Sequence, residues 1–184
     1  MNKKFPRLAA AAALAFSALA AQAVPVVIDV TGAQSINQFG EAGNTVWLVD
    51  VGANAVLNSL DWTVTLSAFA PSSLSEMQLS FGSAGGPALN FAPDVIDGFS
   101  GAGSYTGSFD LTGLGIAAGA DGKLRLEFNE SFMDPERLGL ADGEWVSGKL
   151  TFDVTAAAVP EPASATLALL GLGLIAGARR LRRS

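Results

Sequence analysis

The side chains here with any capacity for chemistry are carboxylates, hydroxyls and a few cations, because histidine and cysteine are both absent. That removes a thiol nucleophile, a Ser–His–Asp triad, the usual Cys/His zinc centre and imidazole acid–base catalysis. It removes disulfides as well, although small exported domains commonly rely on them. The densest carboxylates follow the run Leu124-Arg125-Leu126-Glu127-Phe128-Asn129-Glu130-Ser131-Phe132-Met133-Asp134 and continue through Glu136, Asp142 and Glu144. Calcium takes roughly six to eight oxygen ligands from carboxylates and carbonyls on one or two loops. Asp134, Glu136, Asp142 and Glu144 are therefore the candidate calcium ligands, and no other cofactor is called for. The spacing is not that of an EF-hand, and a solvated acidic loop accounts for the same residues.

A glycosidase-type pair would have to be Glu127 and Glu130. Glu127 is expected on the polar face of a strand and Glu130 on the adjoining bend, with no insertion to build a cleft, so a non-enzyme is expected. No Gly-Lys-Ser/Thr phosphate loop is present. For a ligand rather than a reaction, Trp47 and Trp145 are the candidates. Each neighbours an alternating run without clearly joining its inward register, which would suit an exposed platform for sugar stacking.

The elements that must position these residues are strands. Trp62, Val64, Leu66 and Ala68 alternate with Thr63, Thr65 and Ser67, a period of two with one buried face. Met77, Leu79 and Phe81 repeat the pattern, as do Leu124, Leu126 and Phe128 against Lys123, Arg125 and Glu127, and Leu150, Phe152 and Val154 against Lys149, Thr151 and Asp153. Shorter strands are expected at Pro25–Val30, Asn44–Val51, Leu89–Phe91 and Ser104–Leu111. Glycine-rich stretches such as Gly101–Gly107 read as turns, and Met133–Gly143 reads as a loop with at most one helical turn. About eight strands and no helical period predict an antiparallel β-sandwich of the jelly-roll or immunoglobulin-like kind. Its core is expected to hold Trp62, Phe81, Phe91, Phe109, Phe128 and Phe152.

The sandwich is assigned to residues 24–159, which is one domain's length. Four basic residues face sixteen acidic ones there, a net charge of −12. Nucleic acid and anionic lipid surfaces both select basic patches, so neither is an expected partner.

Both ends of the chain read as targeting segments. Residues 1–23 carry Lys3, Lys4 and Arg7, an alanine-rich apolar stretch, and Ala21-Gln22-Ala23, the small-x-small pattern that signal peptidase cuts after. Residues 160–184 open on Pro160-Glu161-Pro162, a stiff non-helical hinge. Sixteen uncharged residues follow, Ala163–Ala178, somewhat short of the roughly 20 of a comfortable transmembrane helix. Arg179, Arg180, Arg182 and Arg183 then supply a cytoplasmic stop.

The hinge, the Gly/Leu-rich segment and the arginine cluster, in that order, resemble the PEP-CTERM sorting domain of Gram-negative bacteria. The resemblance implies export, transient anchoring in the inner membrane through a C-terminal transmembrane helix, and processing near Pro160-Glu161-Pro162 by an exosortase. Its setting would be the cell surface or extracellular matrix of bacteria that make exopolysaccharide and biofilm. Two roles stay open for the domain: a displayed structural or interaction protein that meets exopolysaccharide in that matrix, and a non-catalytic carbohydrate-binding module stabilised by calcium.

Overall fold

The computed structural model describes residues 23–85 and 88–157. Ala21, Pro160, Glu161, Pro162, Arg179, Arg180, Arg182 and Arg183 lie outside the described residues, with the expectations placed on them. The described chain is an antiparallel β-sandwich of nine strands: β1 (Ala23–Asp29), β2 (Ala33–Ser35), β3 (Thr45–Asp50), β4 (Val56–Ala68), β5 (Met77–Ser83), β6 (Ala88–Phe91), β7 (Gly101–Asp110), β8 (Lys123–Glu130) and β9 (Gly143–Thr155). Among the described residues the helical elements are two single 3-10 turns, Leu74–Glu76 and Pro135–Arg137, and no helix is long and apolar enough to cross a membrane.

One sheet runs β1-β9-β4-β7 with β2 also on β9, and the other runs β3-β8-β5-β6. Chain-distant strands lie side by side in both, β1 on β9 and β3 on β8, which is the double Greek key of a jelly roll. β1 and β9 pair from Ala23↔Thr155 to Asp29↔Lys149. The described chain thus enters and leaves at the same end of the sandwich, and a cut after Ala23 leaves the rest of β1 in place.

The inward rows of β4, β5, β8 and β9 close the core. Leu60, Leu66, Leu79, Phe81, Leu124, Leu126, Phe128, Leu150 and Phe152 are all fully buried. Edge-to-face rings tie the layers together, Phe81 on Phe152 at 5.1 Å and Phe128 on Trp145 at 5.1 Å. Phe109, expected in the core, is 39% exposed. It points inward but stands on β7, which among the described residues is an edge strand paired with β4. Trp62 and Phe91 meet edge-to-face at 4.5 Å at the same open flank, so both are half-buried.

Two further expectations are corrected. Gly101–Gly107 is strand rather than turn, because glycines make room for rings at inward positions: a Cβ on Gly107 would sit 2.4 Å from the Trp62 indole. Glu127 is fully buried rather than exposed, because residues 36–44 fold over the outer face of β8. Its Oε1 accepts from the Gly40 N–H and from Asn44 Nδ2, each at 2.8 Å, and Arg125 pairs with its other oxygen.

Candidate functional site

The outer face of the β1-β9-β4-β7 sheet carries the most distinct surface feature. Period-two alternation turns Asp61, Thr63 and Thr65 of β4 outward, beside Ser104 and Thr106 of β7 and Lys149 and Thr151 of β9. These side chains border a shallow trough along β4. One lobe has a volume of about 570 Å³ and lies among Asp61, Thr63, Thr106, Lys149 and Thr151. A second lobe of about 300 Å³ shares Thr63 and Thr106 and continues to Thr65, Ser104 and Ser147. Cross-strand hydroxyl pairs line it, Thr63 with Thr106 at 3.4 Å and Thr65 with Ser104 at 3.0 Å.

Gly148 forms part of the trough's floor, and the backbone requires glycine there. Its φ is +125°, and a Cβ would lie 2.2 Å from the Thr63 carbonyl oxygen. The strand pairing shifts at the same place, with Thr65 opposite Ser147 and Leu66 opposite Trp145, so Val146 bulges out. A hydroxyl-rich trough with a single ammonium and a single carboxylate can hydrogen-bond a hydroxylated polymer.

The bulge also decides the fate of Trp145. Counting back from Leu150 in twos would put Glu144 and Val146 inside; the extra residue reverses the parity and sends Trp145 into the core, fully buried. The expectation of an exposed sugar platform at Trp145 is therefore corrected. Trp47 is half-buried, edge-to-face on Phe128 at 4.8 Å, and packs against the core.

The four candidate calcium ligands differ in burial. Glu136 is exposed, Glu144 is half-buried on β9 opposite Gln34 and Ser67, and Asp134 and Asp142 are buried. Asp142 Oδ1 accepts from Arg137 Nε at 3.1 Å. Burial pushes both Asp134 and Asp142 above the ordinary carboxylate range. Among the described residues no group of three or more carboxylates is placed to hold a metal ion.

Sequence reasoning placed Glu130 on a bend, yet it ends the inward row of β8 and is fully buried. The Ser35 hydroxyl donates to its Oε1, while Oε2 has no hydrogen-bond partner among the described residues. Burial, opposed by the Ser35 bond and reinforced by Asp142, Glu76 and Asp134, pushes its pKa up to about 8. The signal was available: 124, 126 and 128 are apolar and inward, and 130 continues the same parity.

Comparison with known families finds the PEP-CTERM protein-sorting motif at residues 158–183. The motif directly follows the described domain and marks the chain for export and exosortase processing. No curated protein matches the chain. A solved chain described as the structure of infectious bursal disease virus Gx strain is similar over 77% of this chain at 15% identity, with a TM-score of 0.31. This chain covers 34% of that one.

Proposed function

We propose that the mature molecule is a displayed, non-enzymatic β-sandwich of the cell surface or extracellular matrix, with a structural or interaction role among exopolysaccharide. The observation that carries this reading is the sorting motif at residues 158–183, set directly after β9 ends at Thr155. β1 begins beside that point, at Ala23. Removal of both targeting segments would then act on one end of the sandwich and take only Ala23 from its strands. Signal peptidase and an exosortase are the processing partners this reading requires, and the inner membrane is a transient stop.

Intact mass of the protein recovered from its own host, in membrane, envelope and medium fractions, tests the proposal. A species starting at Val24 and ending near Pro160-Glu161-Pro162 outside the cell is the expected result. A species that keeps Arg179–Ser184 in the inner membrane would overturn it.

A second reading, a carbohydrate-binding module, is favoured by the hydroxyl-lined trough along β4. It moves the candidate ligand surface from Trp47 and Trp145 to the outer face of the five-stranded sheet. Retention by polysaccharide from the host tests it.

A further inference from the structure

We infer that the Asp134–Pro135 peptide bond is a self-cleavage site: the Asp134 carboxyl displaces the Pro135 nitrogen from its own carbonyl carbon, and water completes the hydrolysis. The inference stands on the loop between β8 and β9 and does not rest on the sorting reading.

An aspartate carboxyl reaches its own backbone carbonyl carbon through a five-membered ring, and carboxylates are competent covalent nucleophiles. A following proline makes the amide tertiary, and its nitrogen leaves as a secondary amine. Asp134-Pro135 is the one Asp-Pro pair in the sequence.

The fold supports each part of the reaction. Asp134 is 8% exposed, and its Oδ2 is buried with no hydrogen-bond partner among the described residues. That oxygen keeps its lone pairs for the attack. The carbonyl under attack accepts from the Arg137 N–H at 2.9 Å, across the Pro135–Arg137 turn. A donor there supports the negative charge that develops as the carbon becomes tetrahedral. The turn is itself pinned, because the Arg137 guanidinium reaches Asp142 Oδ1 at 3.1 Å and the Ala70 carbonyl at 3.4 Å. It also lies over the Phe69 ring at 5.4 Å. Nucleophile and carbonyl are thus held in one geometry.

The step needs a proton for the departing nitrogen. Around Asp134 stand Glu76 of the Leu74–Glu76 turn, Glu136 and Arg137 of its own turn, Asp142 before β9 and Glu130 at the end of β8. Burial, then the charges of Glu76 and Glu136, hold the Asp134 carboxyl above its ordinary range against the pull of Arg137. The attacking carboxyl therefore brings the proton with it.

The bonds balance. An Oδ–C bond forms as the C–N bond breaks, the carboxyl proton passes to the Pro135 nitrogen, and Asp134 becomes a cyclic anhydride. Water opens the anhydride to two carboxyl groups. The products are one chain ending at Asp134 and one beginning at Pro135. β9 pairs with β1, β2 and β4, so the sheet holds the two pieces together after the cut. What is lost is the covalent path from β1–β8 to β9 and to the motif at 158–183. A single turnover without a separate general base is slow, so cut and uncut molecules are expected side by side.

In the test, the full-length protein is incubated folded and, in parallel, in concentrated urea at the same mildly acidic pH. Denaturing mass spectrometry counts the fragments. The fragment ending at Asp134 is expected at least tenfold more often in the folded sample. Asp134→Ala should abolish it. Asp134→Glu keeps a carboxyl but needs a six-membered ring, and should lower the yield at least tenfold, which covers the case where the alanine variant misfolds. Hydroxylamine added during incubation should be captured as a hydroxamate on Asp134, the signature of an activated acyl carbon that simple hydrolysis does not leave. A folded yield no higher than that in urea, fragments that persist in both Asp134 variants, or fragments free of hydroxamate would each overturn the inference.

Discussion

At the scale of single residues, Glu130 offers the most direct experiment. Its side chain is buried with one oxygen unpartnered, and its pKa is raised to about 8. The unfolded chain releases the same proton at the ordinary carboxylate value, near pH 4. Between these two values the folded state holds a proton that the unfolded state has lost, so this group makes stability fall as pH rises from about 4 to 8. Glu130→Gln removes the titration while keeping the shape. Urea midpoints are expected to coincide for the two proteins near pH 4 and to favour the variant at pH 8 by about 2–5 kcal/mol. Parallel pH profiles would reject the assignment. Glu130 is legible in the sequence as a carboxylate but not as a buried one, because apolar alternation marks a strand only as far as its apolar residues run. Trp145 was misplaced for a related reason: one bulged residue inverts everything before it.

At the scale of elements, the strands with clean alternation, β4, β5, β8 and the latter part of β9, were readable because each buries one full face. β2 was not, being three residues held by pairing with β9 rather than by any pattern of its own. Nor was the start of β7, where glycines serve the rings above them. The cover that residues 36–44 place over Glu127 depends on hydrogen bonds made more than eighty residues away in sequence, which no local pattern records. The trough along β4 was half legible: its threonines were recognised as an exposed row, but their union with Lys149 and Thr106 depends on strand order. Gly148 links the bulge to the pairing of β4 with β9. Gly148→Ala would force a Cβ into the Thr63 carbonyl at an unfavourable φ and is expected to cost about 3 kcal/mol or more. Gly32→Ala is the control. Gly32 has φ +81° with open space around it, so the loss should stay near 1 kcal/mol. Equal losses in the two variants, measured by urea denaturation, would mean that the close approach of β9 to β4 does not matter.

At the scale of the whole molecule, charge, tail and trough bear on one another. A domain of net charge −12 repels acidic polymers, so a polysaccharide held in the trough is expected to be neutral and held through its hydroxyls rather than through Lys149 alone. Such binding should be nearly insensitive to added salt, whereas capture of an acidic chain by Lys149 would weaken as ionic strength rises. Thr63 stands between the two lobes, exposed and on a strand with a partner on each side, so a larger residue there fills the trough without entering the core. Thr63→Phe is expected to lower affinity for a neutral polysaccharide from the host by about tenfold, the equivalent of ~1.4 kcal/mol, with thermal stability unchanged. Affinity electrophoresis through gels containing that polysaccharide measures it. Equal retardation of the two proteins would remove the trough from the binding role and leave display, rather than ligand capture, as the work of the exported domain. Retardation of the natural protein that disappears with salt would instead point to Lys149 and an acidic polymer.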